Sequence, residues 1–305
     1  MKCYLPLSHL FCLLLLLSSL SCTSPERLER VPYISEIAGE ERDFFLYLPK
    51  GYDLNTGKKW PVLLFLHGNG ERGNGKEELD FSMVHGPLME VWVQKRNLPF
   101  IIINPQLHMF GLDTVGIDYL TYRDPENIPK RLKEGVPNRE SDFPTQGEMN
   151  STEHITEFSK ELSYSEFGWN RVQHDLIGML DYVLENYSAD SSRVYLSGLS
   201  YGGFGTWYMG SHYAHRFAAI NPVVGWGHPS LMPAIAEAQL PVWAFAGGRD
   251  NVVEKEYFFE GLNTLEELGH SEVLFTIHED MGHDAWKRIY AGDDIYNWFL
   301  THQKK

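Results

Sequence analysis

The stretch VYLSGLSYGGFGTW, residues 194–207, constrains the fold more than any other part of the chain. A β-rich run leads into Gly198-Leu199-Ser200-Tyr201-Gly202, and the residues that follow favour a helix. A serine on a sharp turn from a strand into a helix needs neighbours without Cβ atoms, because the turn crowds the backbone and strains the serine's φ and ψ angles. We therefore predict a buried strand, a tight turn that exposes Ser200, and a helix, in that order.

The spacing Gly-x-Ser-x-Gly around Ser200 is typical of a nucleophile elbow, in which the serine Oγ stands above the end of a sheet. A glycine-rich turn with a solvated serine is the competing interpretation, and the flanking strand and helix favour the elbow. A serine hydroxyl is a weak nucleophile by itself. The prediction therefore requires a base and an orienting acid elsewhere in the chain.

The candidate acid follows an apolar segment, PVWAFAGGRDNVV, residues 241–253. This segment predicts a strand that ends near Gly247, with Asp250 just beyond its end. Catalytic groups gather at the carboxyl ends of strands in open α/β sheets, so we predict that Asp250 orients the base. Three other carboxylates remain alternatives for this role: Glu279, Asp280 and Asp284.

The candidate base lies in VLFTIHEDMGHDAW, residues 273–286, which predicts a further strand, a loop and His283 next to a glycine. His278 is the competing histidine, but it closes the apolar run and is better explained as a partly buried strand residue. A metal site built from these two histidines and nearby carboxylates matches no known ligand spacing. We therefore predict that His283 is the base and that no metal is bound.

The candidate oxyanion hole follows an early strand in WPVLLFLHGNGERGNG, residues 60–75. A glycine-rich turn after such a strand can direct a backbone N–H at a reacting carbonyl oxygen. We predict Asn69 as the first backbone donor and Tyr201, directly after the nucleophile, as the second. A loop that merely closes the strand is the alternative.

These segments, together with LYLPKGYD, GPLMEVW and FIIINPQ, resemble the serine esterases of the α/β-hydrolase superfamily. In particular, they resemble phospholipase/carboxylesterase and peptidase-like proteins related to feruloyl esterases and polyhydroxybutyrate depolymerases. The resemblance begins near Arg42. It implies an α/β-hydrolase fold, with a mostly parallel central sheet and helices on both faces. It also implies carboxylic-ester hydrolysis through an acyl-enzyme, without a cofactor, with Ser200, Asp250 and His283 in the triad positions.

Two other functions remain open at this point. One is a serine peptidase of the prolyl-oligopeptidase type, although the chain lacks the large additional domain that such enzymes use to restrict substrates. The other is a non-catalytic binding protein on a hydrolase fold, because one fold hosts many functions. A binding role would not require the complete set of Ser200, Asp250 and His283.

A single hydrolase domain is expected over residues 36–305, after a linker or tether at 23–35. Residues 107–168 form a long, irregular insertion before the nucleophile unit, which we predict to be a lid or a cleft wall; a disordered insertion is the alternative. Its aromatic side chains either line a cleft or anchor the insertion to the domain: Phe110, Tyr119, Tyr122 and Phe143.

The net charge of −15 argues against nucleic acid or an anionic membrane surface as partner, since both require basic patches. A neutral small-molecule or polymer-borne ester is the expected substrate. Residues 1–22 are typical of a secretory signal and contain all three cysteines, so we expect an exported protein without disulfides. Cys22 is a candidate for lipidation, which would make the protein a cell-envelope lipoprotein, with the lipid as its contact to the membrane; plain cleavage and secretion is the alternative.

Overall fold

The computed structural model describes residues 24–37, 39–139 and 168–304. The predicted signal segment 1–22, the lipidation candidate Cys22 and the aromatic residue Phe143 lie outside these ranges. The hydrolase-like segments identified in the sequence lie almost entirely within them.

One eight-stranded sheet forms the centre of the molecule, in the order β1-β2-β4-β3-β5-β6-β7-β8. Strand β1 is antiparallel to β2, and β2 is antiparallel to β4, whereas strands β3 to β8 are all parallel. The predicted mostly parallel sheet is confirmed. The strands are β1 (Arg27–Ile34), β2 (Glu41–Leu48), β3 (Trp60–Leu66), β4 (Ile101–Asn104), β5 (Ala189–Leu199), β6 (Ala219–Val223), β7 (Val242–Gly247) and β8 (Val273–His278).

The prediction of a linker at 23–35 is wrong for most of that range, which contains the first strand. Residues Arg27–Ile34 pair with β2 along their whole length, so most of the expected tether is an edge strand. Val31 is its only fully buried side chain, and the other residues are exposed or half-buried. Because buried and exposed positions do not alternate clearly along this segment, its sequence gives almost no indication of a β-strand.

Helices cover both faces of the sheet, as predicted. Helices α2 to α5 pack on one face around Trp169, Leu176 and Trp207, and helices α6 and α7 pack on the other around Phe65, Tyr195 and Tyr296. None of the helices in the described ranges has the length and apolarity needed to cross a membrane. The helices are α1 (Asp118–Thr121), α2 (Gln173–Asn186), α3 (Tyr201–His212), α4 (Met232–Glu237), α5 (Phe258–Glu267), α6 (Trp286–Ala291) and α7 (Asp294–Leu300).

Parallel strands bury both faces, which explains why they appear in the sequence as continuous apolar runs. All seven residues of β3 and all four residues of β4 are buried. In α2, the predicted helical period is visible in the burial of Leu176 and Leu180, while the intervening Gly178 is exposed. The predicted helix at 169–187 begins with a 3₁₀ turn, Trp169–Val172, before the α-helical part.

The turn between β5 and α3 brings two backbone segments into direct contact. Ser200 has φ of 51° and ψ of −115°, and its N–H donates to the Val223 carbonyl over 2.9 Å. A Cβ atom on Gly202 would lie 1.9 Å from the Leu66 carbonyl oxygen, and one on Gly198 would lie 2.3 Å from the Gly202 carbonyl oxygen. Only glycine fits at these two positions, because a backbone carbonyl cannot move aside as a flexible side chain can.

We expect Gly202→Ala to lower the free energy of unfolding by about 3 kcal/mol, since the new methyl group would push α3 away from β3. The matched control is Gly178→Ala on the exposed face of α2, where a Cβ meets no atom within 4 Å. That change should raise stability by about 0.5–1 kcal/mol, because alanine favours the helix. Urea unfolding of both variants measures the difference. A Gly202→Ala chain as stable as the wild type would contradict the close packing.

Candidate active site

Ser200, His283 and Asp250 form one chain of hydrogen bonds at the carboxyl edge of the sheet. Ser200 follows β5, Asp250 lies three residues after β7, and His283 opens a 3₁₀ turn after β8. The Ser200 Oγ lies 2.8 Å from His283 Nε2, and His283 Nδ1 lies 2.7 Å from Asp250 Oδ2. A nucleophile, a base and an orienting carboxylate in this geometry can perform nucleophilic acyl transfer.

The Asp250 carboxylate is fixed by its own surroundings. Its side chain is fully buried, and Oδ1 accepts the N–H groups of Val252 and Val253 at 2.9 and 2.8 Å. The second oxygen is therefore directed at His283. This contact holds the proton of the imidazole on Nδ1 and leaves Nε2 as the acceptor facing Ser200.

The alternative acids are each paired with a cation. Glu279 lies 2.9 Å from Lys255, and Asp284 lies 3.4 Å from Lys287. The Arg288 guanidinium, 2.6 Å from Asp280, lowers the pKa of that carboxyl to about 2 through its hydrogen bond. The geometry therefore favours Asp250 as the acid.

The competing histidine, His278, ends β8 and stacks on Phe245, with ring centroids 6.0 Å apart. Burial lowers its pKa from the ordinary value. Within residues 24–37, 39–139 and 168–304, no group of three or more His, Cys, Asp or Glu side chains is arranged to hold a metal ion.

The predicted oxyanion residues both contact one buried arginine. Asn69 begins a 3₁₀ turn after β3, and Tyr201 is the first residue of α3. Arg72 Nε donates to the Asn69 side-chain oxygen, and the guanidinium lies 4.7 Å from the centre of the Tyr201 ring. Arg72 Nη1 also donates to the His108 carbonyl oxygen over 2.7 Å. Burial lowers the pKa of Arg72 to about 10, so a cation remains beside both residues at neutral pH.

His67 fixes the start of the same loop. Its ring pairs with the Gly68 carbonyl oxygen through Nδ1 at 2.6 Å, and Nε2 accepts the Leu107 N–H at 2.9 Å. Both contacts are satisfied only by the neutral ring that carries its proton on Nδ1. Burial lowers the pKa of His67 to about 4, in agreement with this state. His67 is therefore a structural residue that ties the loop after β3 to the segment after β4.

A cleft of about 520 Å³ opens over Ser200 and His283. The insertion contributes to its wall through Tyr119 and Tyr122, whereas Phe110 packs against the core and stacks on His108. Of the four aromatic residues, two therefore line the cleft and one anchors the insertion. The apolar part of the lining consists mainly of Phe81, Val84, Tyr119, Tyr122, Leu199 and Trp286.

A second carboxylate–histidine pair lies in this cleft and has no signal in the sequence. Glu71 Oε1 lies 2.6 Å from His85 Nδ1, and both residues line the cavity. The two residues are fourteen positions apart and belong to no motif with a known role. Glu71 would ordinarily be expected on the surface, yet it is 5% exposed.

The chain is similar to known proteins both in part of its sequence and in its fold. Residues 157–257, about a third of the chain, match the prolyl oligopeptidase family. A thermostable esterase aligns at 21% identity over 90% of this chain and 63% of its own, with a TM-score of 0.58. The acylaminoacyl peptidase of Pyrococcus horikoshii aligns at 14% identity over 92% and 43%, with a TM-score of 0.55.

A ferulic acid esterase from Anaeromyces mucronatus, solved with ferulic acid, aligns at 18% identity over 92% of this chain and 97% of its own, with a TM-score of 0.53. The chain has the α/β-hydrolase fold. The chain spans less than two thirds of the first two structures but nearly all of the ferulic acid esterase. No curated protein matches it.

The neutral state of His67 predicts a pH dependence of stability. The pKa of an unfolded histidine is near 6.5, and burial lowers the pKa of folded His67 to about 4, so the folded state favours the neutral ring. The free energy of unfolding should fall by about 3 kcal/mol as pH drops through this window, and His67→Gln should flatten that slope. The control is His215→Gln at an exposed position, which should leave the slope unchanged. Equilibrium unfolding between pH 7 and 4 measures both slopes, and an identical slope in His67→Gln would contradict the assignment.

Proposed function

We propose that this α/β-hydrolase is a serine hydrolase that cleaves carboxylic esters through an acyl-enzyme. The observation that carries the proposal is the continuous hydrogen-bond chain from Ser200 through His283 to Asp250 at the floor of a cleft. The matched family and the esterase neighbours support a serine hydrolase. The preference for esters over amides is part of the same proposal.

In the first step, Ser200 Oγ attacks the ester carbonyl carbon while His283 Nε2 takes the hydroxyl proton. The carbonyl π electrons move to the oxygen and form a tetrahedral oxyanion. When the intermediate collapses, the bond to the alcohol oxygen breaks, and His283 gives its proton to the departing alcohol. Asp250 stays ionised and stabilises the imidazolium throughout.

In the second step, a water molecule attacks the acyl-enzyme with His283 again acting as base. The carboxylic acid leaves and the proton returns to Ser200 Oγ. We assign the stabilisation of both oxyanions to the backbone N–H groups of Asn69 and Tyr201. Arg72 supports this role by holding the Asn69 side chain and the Tyr201 ring, and its charge adds a favourable field.

The character of the cleft supports a neutral, largely apolar substrate. Aromatic and aliphatic side chains dominate its lining near Ser200, and the chain as a whole is strongly acidic. An aromatic acyl group would bury apolar surface against this lining, which includes Phe81 and Trp286. The ferulic acid bound to the neighbour from Anaeromyces mucronatus is one compound of this kind.

A serine peptidase is the second candidate, because the matched family is the prolyl oligopeptidase family. The same triad can attack an amide carbonyl. The acylaminoacyl peptidase is more than twice as long as the part that aligns with this chain. The described residues form one sheet with its covering helices, which offers no separate domain to select peptides.

The triad assignment predicts a near-complete loss of activity in three variants. Ser200→Ala and His283→Ala should lower kcat/KM for a nitrophenyl ester by about 10⁴-fold or more, and Asp250→Asn by about 10⁴-fold. Ser211→Ala on the same helix α3 is the matched control and should keep full activity. Steady-state kinetics and labelling by a fluorophosphonate measure these effects. Turnover retained in Ser200→Ala would contradict the role of this serine.

The choice between ester and amide is tested with one acyl group in two forms, a nitrophenyl ester and the matching nitroanilide. We expect burst and turnover with the ester and no detectable turnover with the anilide, because the lining near Ser200 is dominated by apolar side chains. Release of nitroaniline without ester preference would favour the peptidase instead.

A further inference from the structure

Glu71 is a buried carboxylate that the triad does not use, in the same loop as Asn69. We call residues 68–71 the Asn69 loop. Glu71 ends the 3₁₀ turn that Asn69 begins, and its side chain is 7% exposed. Charged side chains are almost never buried to this extent without a partner. The partner here is His85, whose Nδ1 lies 2.6 Å from Glu71 Oε1.

The hydrogen bond between Glu71 and His85 runs in one direction. Burial opposes ionisation of Glu71, but the hydrogen bond to His85 and the neighbouring histidines outweigh it and hold the pKa of Glu71 below its usual value. An ionised carboxylate only accepts, so His85 Nδ1 donates whichever charge the ring carries. A hydrogen bond with one ionised partner is about twice as strong as one between neutral groups. This contact can therefore restrain a loop.

The second oxygen of the same carboxylate lies against the start of the Asn69 loop. A Cβ atom on Gly68 would lie 3.1 Å from Glu71 Oε2 and 3.6 Å from Ser200 Cβ. The carboxylate and the nucleophile are thus neighbours of one point on Gly68, the residue directly before Asn69. A shift of the Glu71 side chain would be felt at the backbone that precedes the assigned oxyanion donor.

Asn69 needs such a restraint because of its own neighbours. It has a glycine on each side, and glycine leaves a chain more backbone freedom than any other residue. The far end of the loop is held through its backbone, since the Glu71 carbonyl oxygen accepts from Gln106 Nε2 over 2.9 Å. The Glu71 side chain adds a restraint on the side of the loop that faces Ser200.

His85 is a firm anchor for this contact. It lies between two short helical turns, and 28% of its side chain is exposed. The next residue, Gly86, has a φ of 83°, and a Cβ atom there would lie 2.2 Å from the Phe65 ring. Phe65 is a fully buried residue of β3, the strand that leads into the Asn69 loop. The loop is therefore tied to a segment that packs directly on its own strand.

We propose that Glu71, held by His85, is a positioning residue that keeps the Asn69 N–H directed at the oxyanion of the transition state. This inference rests on the proposed ester hydrolysis at Ser200 and on the assignment of Asn69 as a donor. The role requires no contact between the substrate and either Glu71 or His85. Loss of the pair should therefore lower kcat and change KM little, because only the transition state carries the oxyanion.

The test breaks the contact from each side and then restores it. Glu71→Ala and His85→Leu should each lower kcat for a nitrophenyl ester by about 10- to 100-fold, with KM within about threefold of the wild type. Glu71→Gln keeps an oxygen that can accept from His85, and His85→Asn keeps an N–H donor close to the position of Nδ1. These two variants should recover most of the lost kcat. The double variant Glu71→Ala/His85→Leu should resemble the single variants, since all three lack the same contact.

A trifluoromethyl ketone with the same acyl group reports on the oxyanion site itself, because its adduct with Ser200 carries an oxyanion. Its affinity should fall in Glu71→Ala by about the same factor as kcat. A role confined to stability would leave both quantities unchanged in the folded fraction. His215→Gln, at an exposed position, is the matched control and should keep the wild-type kcat, KM and affinity.

An unchanged kcat in Glu71→Ala and His85→Leu would overturn the positioning role, and so would a raised KM with an unchanged kcat. An equal loss of kcat in Glu71→Gln would assign the effect to the charge and overturn it as well. If Glu71→Ala does not fold, His85→Leu decides. These outcomes leave ester hydrolysis at Ser200 standing. If the wild type neither hydrolyses an ester nor reacts with a fluorophosphonate, the proposed function fails, and the positioning role fails with it.

Discussion

The contact between α3 and the end of β3 determines the rest of the site. At Gly202 the helix backbone lies so close to the Leu66 carbonyl that no side chain fits, and this approach sets the position of Ser200. The strained φ of Ser200 persists because its N–H is bonded to Val223 on the neighbouring strand. Three adjacent parallel strands, β3, β5 and β6, thus fix one serine. The loops after β7 and β8 then need only to bring Asp250 and His283 to the same edge.

Much of this arrangement was predictable, because its causes are local. Buried parallel strands require continuous apolar runs, and the elbow requires glycines at fixed spacing from Ser200. Each predicted triad residue lies within five residues of the end of such a run, so the topology brings the three side chains to one edge. The choice of Asp250 over Asp280 was less certain in the sequence. In the sequence it rested on the position of Asp250 after a strand, whereas in the structure Asp250 contacts His283 and Asp280 pairs with Arg288, eight residues further along the chain.

Other features escaped prediction because they depend on contacts between distant segments. Strand β1 is held by backbone pairing to β2 and buries little, so its sequence resembles that of a tether. Arg72 would ordinarily be placed in solvent, yet it is fully buried between Asn69, His108 and Tyr201. The Asn69 side-chain oxygen and the His108 carbonyl oxygen accept from the guanidinium, and the Tyr201 ring lies beside it. The approach of His108 and Tyr201, which are distant in the chain, is not encoded by any spacing near Arg72.

The hydrogen bond between Asn69 and Tyr119 has a consequence for how this enzyme can diversify. Asn69 Nδ2 donates over 2.7 Å to the Tyr119 hydroxyl, so the insertion that shapes the cleft is attached to the loop assigned to oxyanion binding. Arg72 holds the opposite end of the same amide. Remodelling the insertion to admit a new substrate would therefore also move the loop that holds the Asn69 backbone N–H, to which we assign oxyanion binding. Under that assignment, variants that change the substrate range through Tyr119 should need a compensating change near Arg72 to recover turnover.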